Sequence, residues 1–161
     1  MHNPHWLTEE EQRVWRLFIA ATRKLNAHLD QQLRQNSATP ATYFEILVHL
    51  SEAPDRSLRM ATLAERCFST RSKLSHAVTA LEKSGYVSRK VADGDGRGSV
   101  ALLTDAGLDA LETAAVGHVE DVRRHVFDVL TPEQQRALGG VSSALLNALI
   151  PDCAKVRQDD V

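Results

Sequence analysis

Residues 61–82 decide the fold: Ala61-Thr62-Leu63-Ala64-Glu65-Arg66-Cys67-Phe68-Ser69-Thr70-Arg71-Ser72-Lys73-Leu74-Ser75-His76-Ala77-Val78-Thr79-Ala80-Leu81-Glu82. The pattern predicts two short helices, over 60–67 and 70–84, with almost nothing between them. In the second, Leu74, Val78 and Leu81 recur at steps of four and three, which puts them in one apolar stripe. The opposite face carries Arg71, Ser72, Ser75, His76 and Thr79. Leu63, Ala64 and Phe68 are expected to pack the first helix and the turn. Thr70 or Ser69 is the expected N-cap of the second helix, and Gly85 its C-terminal stop. Two helices so joined form a helix-turn-helix.

Downstream, Tyr86–Ala92 and Ser99–Leu103 are β-rich runs flanking Asp93-Gly94-Asp95-Gly96-Arg97-Gly98. They predict a hairpin with a glycine-rich tip, so the central module reads as a winged helix. Thr104 caps a further helix expected over 105–130, and Thr131-Pro132-Glu133-Gln134 opens a last one running to Ile150. Upstream, Thr8 and Glu11 form a capping-box pair before Val14, Phe18, Ala21, Leu25, Leu29 and Leu33. That helix should reach about Asn36, and Thr39-Pro40 should start another that ends at Leu50, before the breaker 51–55. The fold class is therefore mainly α with a small β-hairpin wing. Residues 1–38 and 105–150 read as dimerisation helices, 39–104 as the winged helix-turn-helix, and 151–161 as a polar tail. The outer helices are longer than a small domain's own core requires, and a shared two-fold interface is the economical use for them.

The chain has 161 residues, 43% of them apolar, an ordinary globular balance. No apolar run approaches the roughly 18 residues of a membrane span. The start, Met1–Trp6, lacks the basic-then-apolar order of a secretory signal. Cys67 and Cys153 stand alone, with no CxxC, so a reduced, cytoplasmic protein is expected, with Cys67 acting as a small packed apolar residue. The net charge is -2, but it is unevenly spread. Residues 56–97 hold nine basic side chains against Glu65, Glu82, Asp93 and Asp95, giving +5 there and -7 elsewhere. A basic middle in an acidic chain suits a polyanion partner.

Other chemistries lack their residues. Asp93 and Asp95 begin like a calcium loop, but Arg97 holds the fifth position and Thr104 the twelfth. Gly94, Gly96 and Gly98 do not lead from a strand into a helix, as a dinucleotide loop must. His118 and His125 lie seven apart on a helix and read as surface histidines. No catalytic set, metal site or cofactor is expected. The hydroxyl-rich, basic face of 70–79 suits DNA: hydroxyls and imidazole reach base edges or phosphates, while Arg and Lys neutralise phosphates. A winged helix used for protein–protein contact instead would show a more apolar recognition face.

Four pieces of sequence together resemble the MarR (multiple antibiotic resistance regulator) family of bacterial transcription factors. They are LAERC (63–67) with TRSKLSHAVTALEKSGYV (70–87), ADGDGRGSVALLTDAG (92–107), the order of the flanking helices, and LTPEQQRAL (130–138). The resemblance spans residues 8–150. It implies a homodimeric winged-helix regulator, acting on a pseudo-palindromic double-stranded operator, as a repressor released by a small lipophilic or phenolic effector. It also implies a recognition helix in the major groove, served here by Thr70, Arg71, Ser72, Lys73, Ser75, His76 and Thr79, and a wing arginine, Arg97, in the minor groove. Arg59, Arg89 and Lys90 join Arg71 and Lys73 as phosphate contacts. The effector pocket of such proteins lies between the dimer helices and the winged helix, where Trp15, Phe18, Tyr43, Ile46, Val119 and Arg123 would line it. Two departures stand out: His76 where many members carry a basic residue, and glycines at 96 and 98 where many carry charge. Ordering a glycine-rich tip on DNA costs additional conformational entropy.

His76 generates a prediction. An imidazole gains charge as pH falls through its ordinary range near 6.5, and a positive charge beside phosphate favours the complex. DNA affinity should be higher at pH 6 than at pH 8 at fixed ionic strength, read by fluorescence anisotropy, and the difference should vanish in His76→Gln. A flat profile, or weaker binding at pH 6, contradicts it.

Overall fold

The computed structural model of the chain describes residues 5–37, 40–91 and 98–149, with only the backbone of Asn36. The chain divides into two compact units, Met1–Asp121 and Val122–Val161.

The first unit opens with α1 (Glu9–Ser37), 29 residues long. Its start is the expected capping box: the Thr8 N–H donates to Glu11 Oε2 at 2.7 Å, and the Glu11 N–H donates to Thr8 Oγ1 at 3.2 Å. The start of α2 (Ala41–Ser51) differs from expectation. Pro40 is the N-cap rather than a first-turn residue, it gives no side-chain cap, and Thr39 lies outside the described residues. The Ala41 N–H is instead satisfied from α1, by Asp30 Oδ1 at 2.9 Å. The Arg34 guanidinium, and then this backbone bond, hold the Asp30 carboxyl below its ordinary range.

A strand absent from the sequence reading follows. β1 (Ser57–Arg59) pairs antiparallel with β3 (Ser99–Leu103), which pairs on its other edge with β2 (Val87–Val91). The wing is thus a three-stranded sheet in the order β1-β3-β2, with Arg59 and Lys90 both opposite Val100. The expected hairpin tip, apart from Gly98, lies outside the described residues.

Between β1 and β2 come α3 (Met60–Arg66) and α4 (Arg71–Lys83). Leu74, Val78 and Leu81 of α4 are 1% exposed or less, and they join Leu63, Ala64, Ile46, Leu47, Leu50, Val87, Ala101 and Leu103 in one core. Burial of a leucine of this kind stabilises by roughly 2 kcal/mol, so the stripe fixes which face of α4 is left to solvent. Cys67 is buried in the same core as expected, and burial, followed by the Glu45 charge, pushes its thiol up to about 12. A thiol so rarely ionised is a poor target for oxidants.

Both helices end in the same six-residue turn. After α4, the Gly85 and Tyr86 N–H groups donate to Glu82 O and Leu81 O, with Gly85 at φ +77. After α3, the Phe68 and Ser69 N–H groups donate to Glu65 O and Ala64 O. Here the left-handed position falls on Phe68, at φ 45, and its ring is 65% exposed. Phe68 does not pack the turn: the closing bonds require a positive φ there, and that turns the side chain out of the core.

The wing returns into α5 (Asp105–Val122). Thr104 caps it, accepting from the Gly107 N–H at 3.0 Å while donating to Gly85 O at 2.7 Å. The Thr104 N–H donates to Tyr86 O at 3.0 Å, and that same carbonyl lies 2.1 Å from where a Cβ on Gly107 would stand. In the expected helix 105–130, α geometry stops at Val122, and Arg123–Phe127 form a π-turn whose Asp128 N–H donates to Arg123 O at 2.8 Å.

In the second unit α6 (Pro132–Leu149) starts with the expected box: Gln134 N–H to Thr131 Oγ1 at 3.3 Å, and Thr131 N–H to Gln134 Oε1 at 2.9 Å. Among the described residues no helix is long and apolar enough to cross a membrane.

Two substitutions should move the melting temperature in opposite directions. Gly107→Ala forces a methyl onto the Tyr86 carbonyl and should cost about 1–3 kcal/mol. Phe68→Gly removes an exposed ring from a left-handed position and should stabilise by about 0.5–1 kcal/mol. Thermal unfolding followed by circular dichroism reads both; equal melting points for either variant and the parent would contradict the stated cause.

Candidate nucleic-acid interface

The stripe that buries one side of α4 leaves Arg71, Ser72, Lys73 and His76 exposed on the other. Thr70 is the N-cap, accepting from the Lys73 N–H at 3.3 Å. The Arg71 and Ser72 N–H groups, in the first helical turn, have no intrahelical acceptor, so this helix end suits an anion. Ser75 and Thr79 are half-buried and turned toward β2.

Arg89 explains that turn. From β2 its Nε donates to Glu82 Oε2 at 2.7 Å, its Nη1 to Ser75 Oγ at 3.4 Å and its Nη2 to Thr79 Oγ1. The Thr79 hydroxyl donates in turn to Ser75 O at 2.8 Å. Two of the seven residues expected to face DNA from the helix therefore hold a wing arginine, and that arginine is itself paired within the protein. Arg89 nevertheless lines a cleft of about 290 Å³ together with Arg59, Met60, Ala61, Arg71, Ser75, Gly98 and Ser99. Three guanidinium side chains from β1, α4 and β2 thus surround one opening, with Lys73 and Lys90 exposed on their own elements. Nine of the eleven DNA-contact candidates lie on α4, at its cap or around this cleft; Lys90 is on β2, and Arg97 lies outside the described residues.

The expected effector residues divide differently. Trp15 and Phe18 are exposed on α1 with ring centroids 6.2 Å apart. Tyr43 packs against the core and Ile46 is wholly inside it, so Ile46 offers no surface to a ligand in this state. Val119 is exposed on α5, and Arg123 belongs to the second unit, 3.8 Å from Asp128.

Glu82 and Ser99 were not among the candidates. Glu82 fits α4 as an ordinary surface acid, and only the fold brings Arg89 to it. Ser99 sits at the base of the wing and has no distinguishing neighbour in sequence.

A family model described as "MarR family" matches residues 39–98. The crystal structure of Sco3205, a MarR family transcriptional regulator from Streptomyces coelicolor, in complex with DNA, superposes with a TM-score of 0.91 at 47% identity, over 97% of this chain and 98% of that one. The chain belongs to the MarR family. A second MarR regulator of Streptomyces coelicolor, AbsC, superposes with a TM-score of 0.86 at 35% identity, covering 91% of this chain and 98% of that one. An uncharacterized HTH-type transcriptional regulator from Bacillus cereus (strain ZK / E33L) is 30% identical over 125 residues, 78% of this chain and 81% of the relative. This MarR protein is accordingly a DNA-binding transcriptional regulator with a winged helix-turn-helix fold.

Two of the three arginines of the cleft should separate in mutagenesis. Arg89→Ala removes a partly buried ion pair and two hydroxyl bonds, and should cost about 1 kcal/mol of stability. Arg71→Ala, at an exposed site, should change stability by less than about 0.5 kcal/mol. Urea unfolding measures both; equal losses would mean that Arg89 is not a brace.

Proposed function

We propose that this MarR protein binds a pseudo-palindromic duplex operator as a homodimer and represses transcription, with a small lipophilic or phenolic effector relieving it. The observation that carries the reading is the exposed face of α4 beside a three-arginine cleft. A helix whose apolar side is locked into the core can enter a major groove without unfolding anything. Arg59, Arg71 and Lys73 meet phosphates; Ser72, His76 and the outer edge of Ser75 meet bases; Arg97 reaches the minor groove. Arg89 joins the phosphate contacts while braced by Glu82.

The apolar faces support the dimer. Val14 and Leu17 are exposed on α1, as are Leu138, Val141, Leu145 and Leu149 on α6. The α6 set recurs at helical spacing, and no apolar residue of that helix is buried. Monomers rarely leave such stripes in water. Residues 1–38 and 105–150 then serve as dimerisation helices, and 39–104 as the DNA-binding domain. A two-fold axis would set two recognition helices about one DNA turn apart. An effector acts by favouring a state whose half-site spacing no longer matches, which requires different affinities for the two states.

Selection of random duplex DNA on the purified protein tests the reading. A two-fold symmetric motif is expected, and log affinity should fall linearly with log salt, with a slope reduced by about one in Arg71→Ala. Retention that melts away with salt and enriches no motif would defeat it. With the operator in hand, Trp15→Ala should weaken release by the effector while leaving DNA affinity unchanged; equal loss of both would make Trp15 structural.

A further inference from the structure

Away from the DNA face, three donor groups of different chemistry converge where α2 meets the end of α3. Glu45 and His49 lie four residues apart on α2, hence on one face of it. Cys67, the C-cap of α3, is brought against them by the turn that follows it. One carboxylate oxygen, one imidazole nitrogen and the Cys67 sulfur all lie within 4.8 Å of one another. Cys67 is 8% exposed, His49 is half-buried, and Glu45 is partly open to solvent, so the cluster has an inner wall and a mouth.

A second observation is independent of the spacing. His49 Nδ1 is buried and has no hydrogen-bond partner. Buried imidazole nitrogens are normally paired, and one that is not calls for an occupant or a cost. The charges acting on this ring are Glu52 and Arg66, and the ring also has a hydrogen bond to the Arg66 backbone, so Nδ1 is the nitrogen left for a ligand.

We propose that Glu45, His49 and Cys67 bind one borderline-soft divalent cation of the zinc class, with a fourth position open to water. The donor set selects the metal. Thiolate and imidazole are poor ligands for calcium or magnesium, which take oxygens, and good ones for zinc. Bonds of about 2.0–2.3 Å in a tetrahedral site put donor atoms roughly 3.3–3.8 Å apart. The donor atoms, within 4.8 Å of one another, therefore need to draw together by no more than about 1.5 Å, to which rotation of the partly exposed Glu45 side chain contributes. Carboxylate and thiolate together balance the ion's charge, with the thiol proton released to solvent on binding. The bound ion would tie α2 to α3 at the residue immediately before the turn that leads into the recognition helix.

The test uses the tag-free, metal-stripped full chain carrying Cys153→Ser, so that Cys67 is the sole source of thiolate. Titration with Co²⁺ should produce a near-ultraviolet thiolate-to-cobalt charge-transfer band and tetrahedral visible bands. They should saturate at one Co²⁺ per chain and be bleached by stoichiometric Zn²⁺. Cys67→Ser should abolish the charge-transfer band. Glu45→Gln, at the exposed edge where folding is least at risk, should weaken Co²⁺ and Zn²⁺ binding by at least about tenfold. Far-ultraviolet circular dichroism shows that each variant is folded. Absence of the charge-transfer band in the parent overturns the proposal. So does unchanged metal affinity in folded Glu45→Gln, which would remove Glu45 from the donor set.

Discussion

The Tyr86 carbonyl is the point on which the winged helix turns. It accepts from the Thr104 N–H and lies against Gly107 so closely that no side chain fits between. Thr104 meanwhile donates to Gly85 and caps α5. One small junction therefore fixes the end of the recognition helix, the neighbouring wing strands β2 and β3 and the first turn of the next helix. Loosening it would let the wing and the recognition helix drift apart, although each would keep its own hydrogen bonds. The Leu-Thr-Asp-Ala-Gly run is short because its threonine and glycine each hold the junction directly.

From that junction the division of labour on α4 follows. The apolar stripe commits one side to the core. The polar side then splits, because Arg89 reaches across from the wing and takes Ser75 and Thr79 as partners along with Glu82. The wing is thereby braced onto the helix through the residues a reader of the sequence would assign to DNA. In the proposed complex, rigidity of the reading head and recruitment of phosphate would compete for the same guanidinium. The fold resolves the competition by giving the cleft two further arginines, Arg59 and Arg71.

Features set by neighbours three or four residues apart were legible in the sequence. The capping boxes at Thr8 and Thr131, the stripe Leu74–Val78–Leu81, the stop at Gly85 and the cap at Thr104 all depend on local geometry, and the structure has each of them. What was hidden depends on partners far along the chain. Three residues of β1 carry no strand pattern of their own, and only the edge of β3 makes them a strand. Phe68 looks like core by composition, but its backbone position decides otherwise. Arg89 looks like a free cation until the fold presents Glu82. The cluster of Glu45, His49 and Cys67 is hidden for the same reason: Cys67 is 18 residues from His49 and has no signature spacing to it.

The bond from Asp30 to the start of α2 has a consequence for how such a protein can change over evolutionary time. The first N–H of α2 is held from within α1, eleven residues back. Asp30 therefore carries part of the geometry of α2, and a change there would be felt at Ala41. Inheritance of that joint thus runs through a helix residue as well as through the loop beside it. The regulator has a joint whose geometry is held in part from outside it.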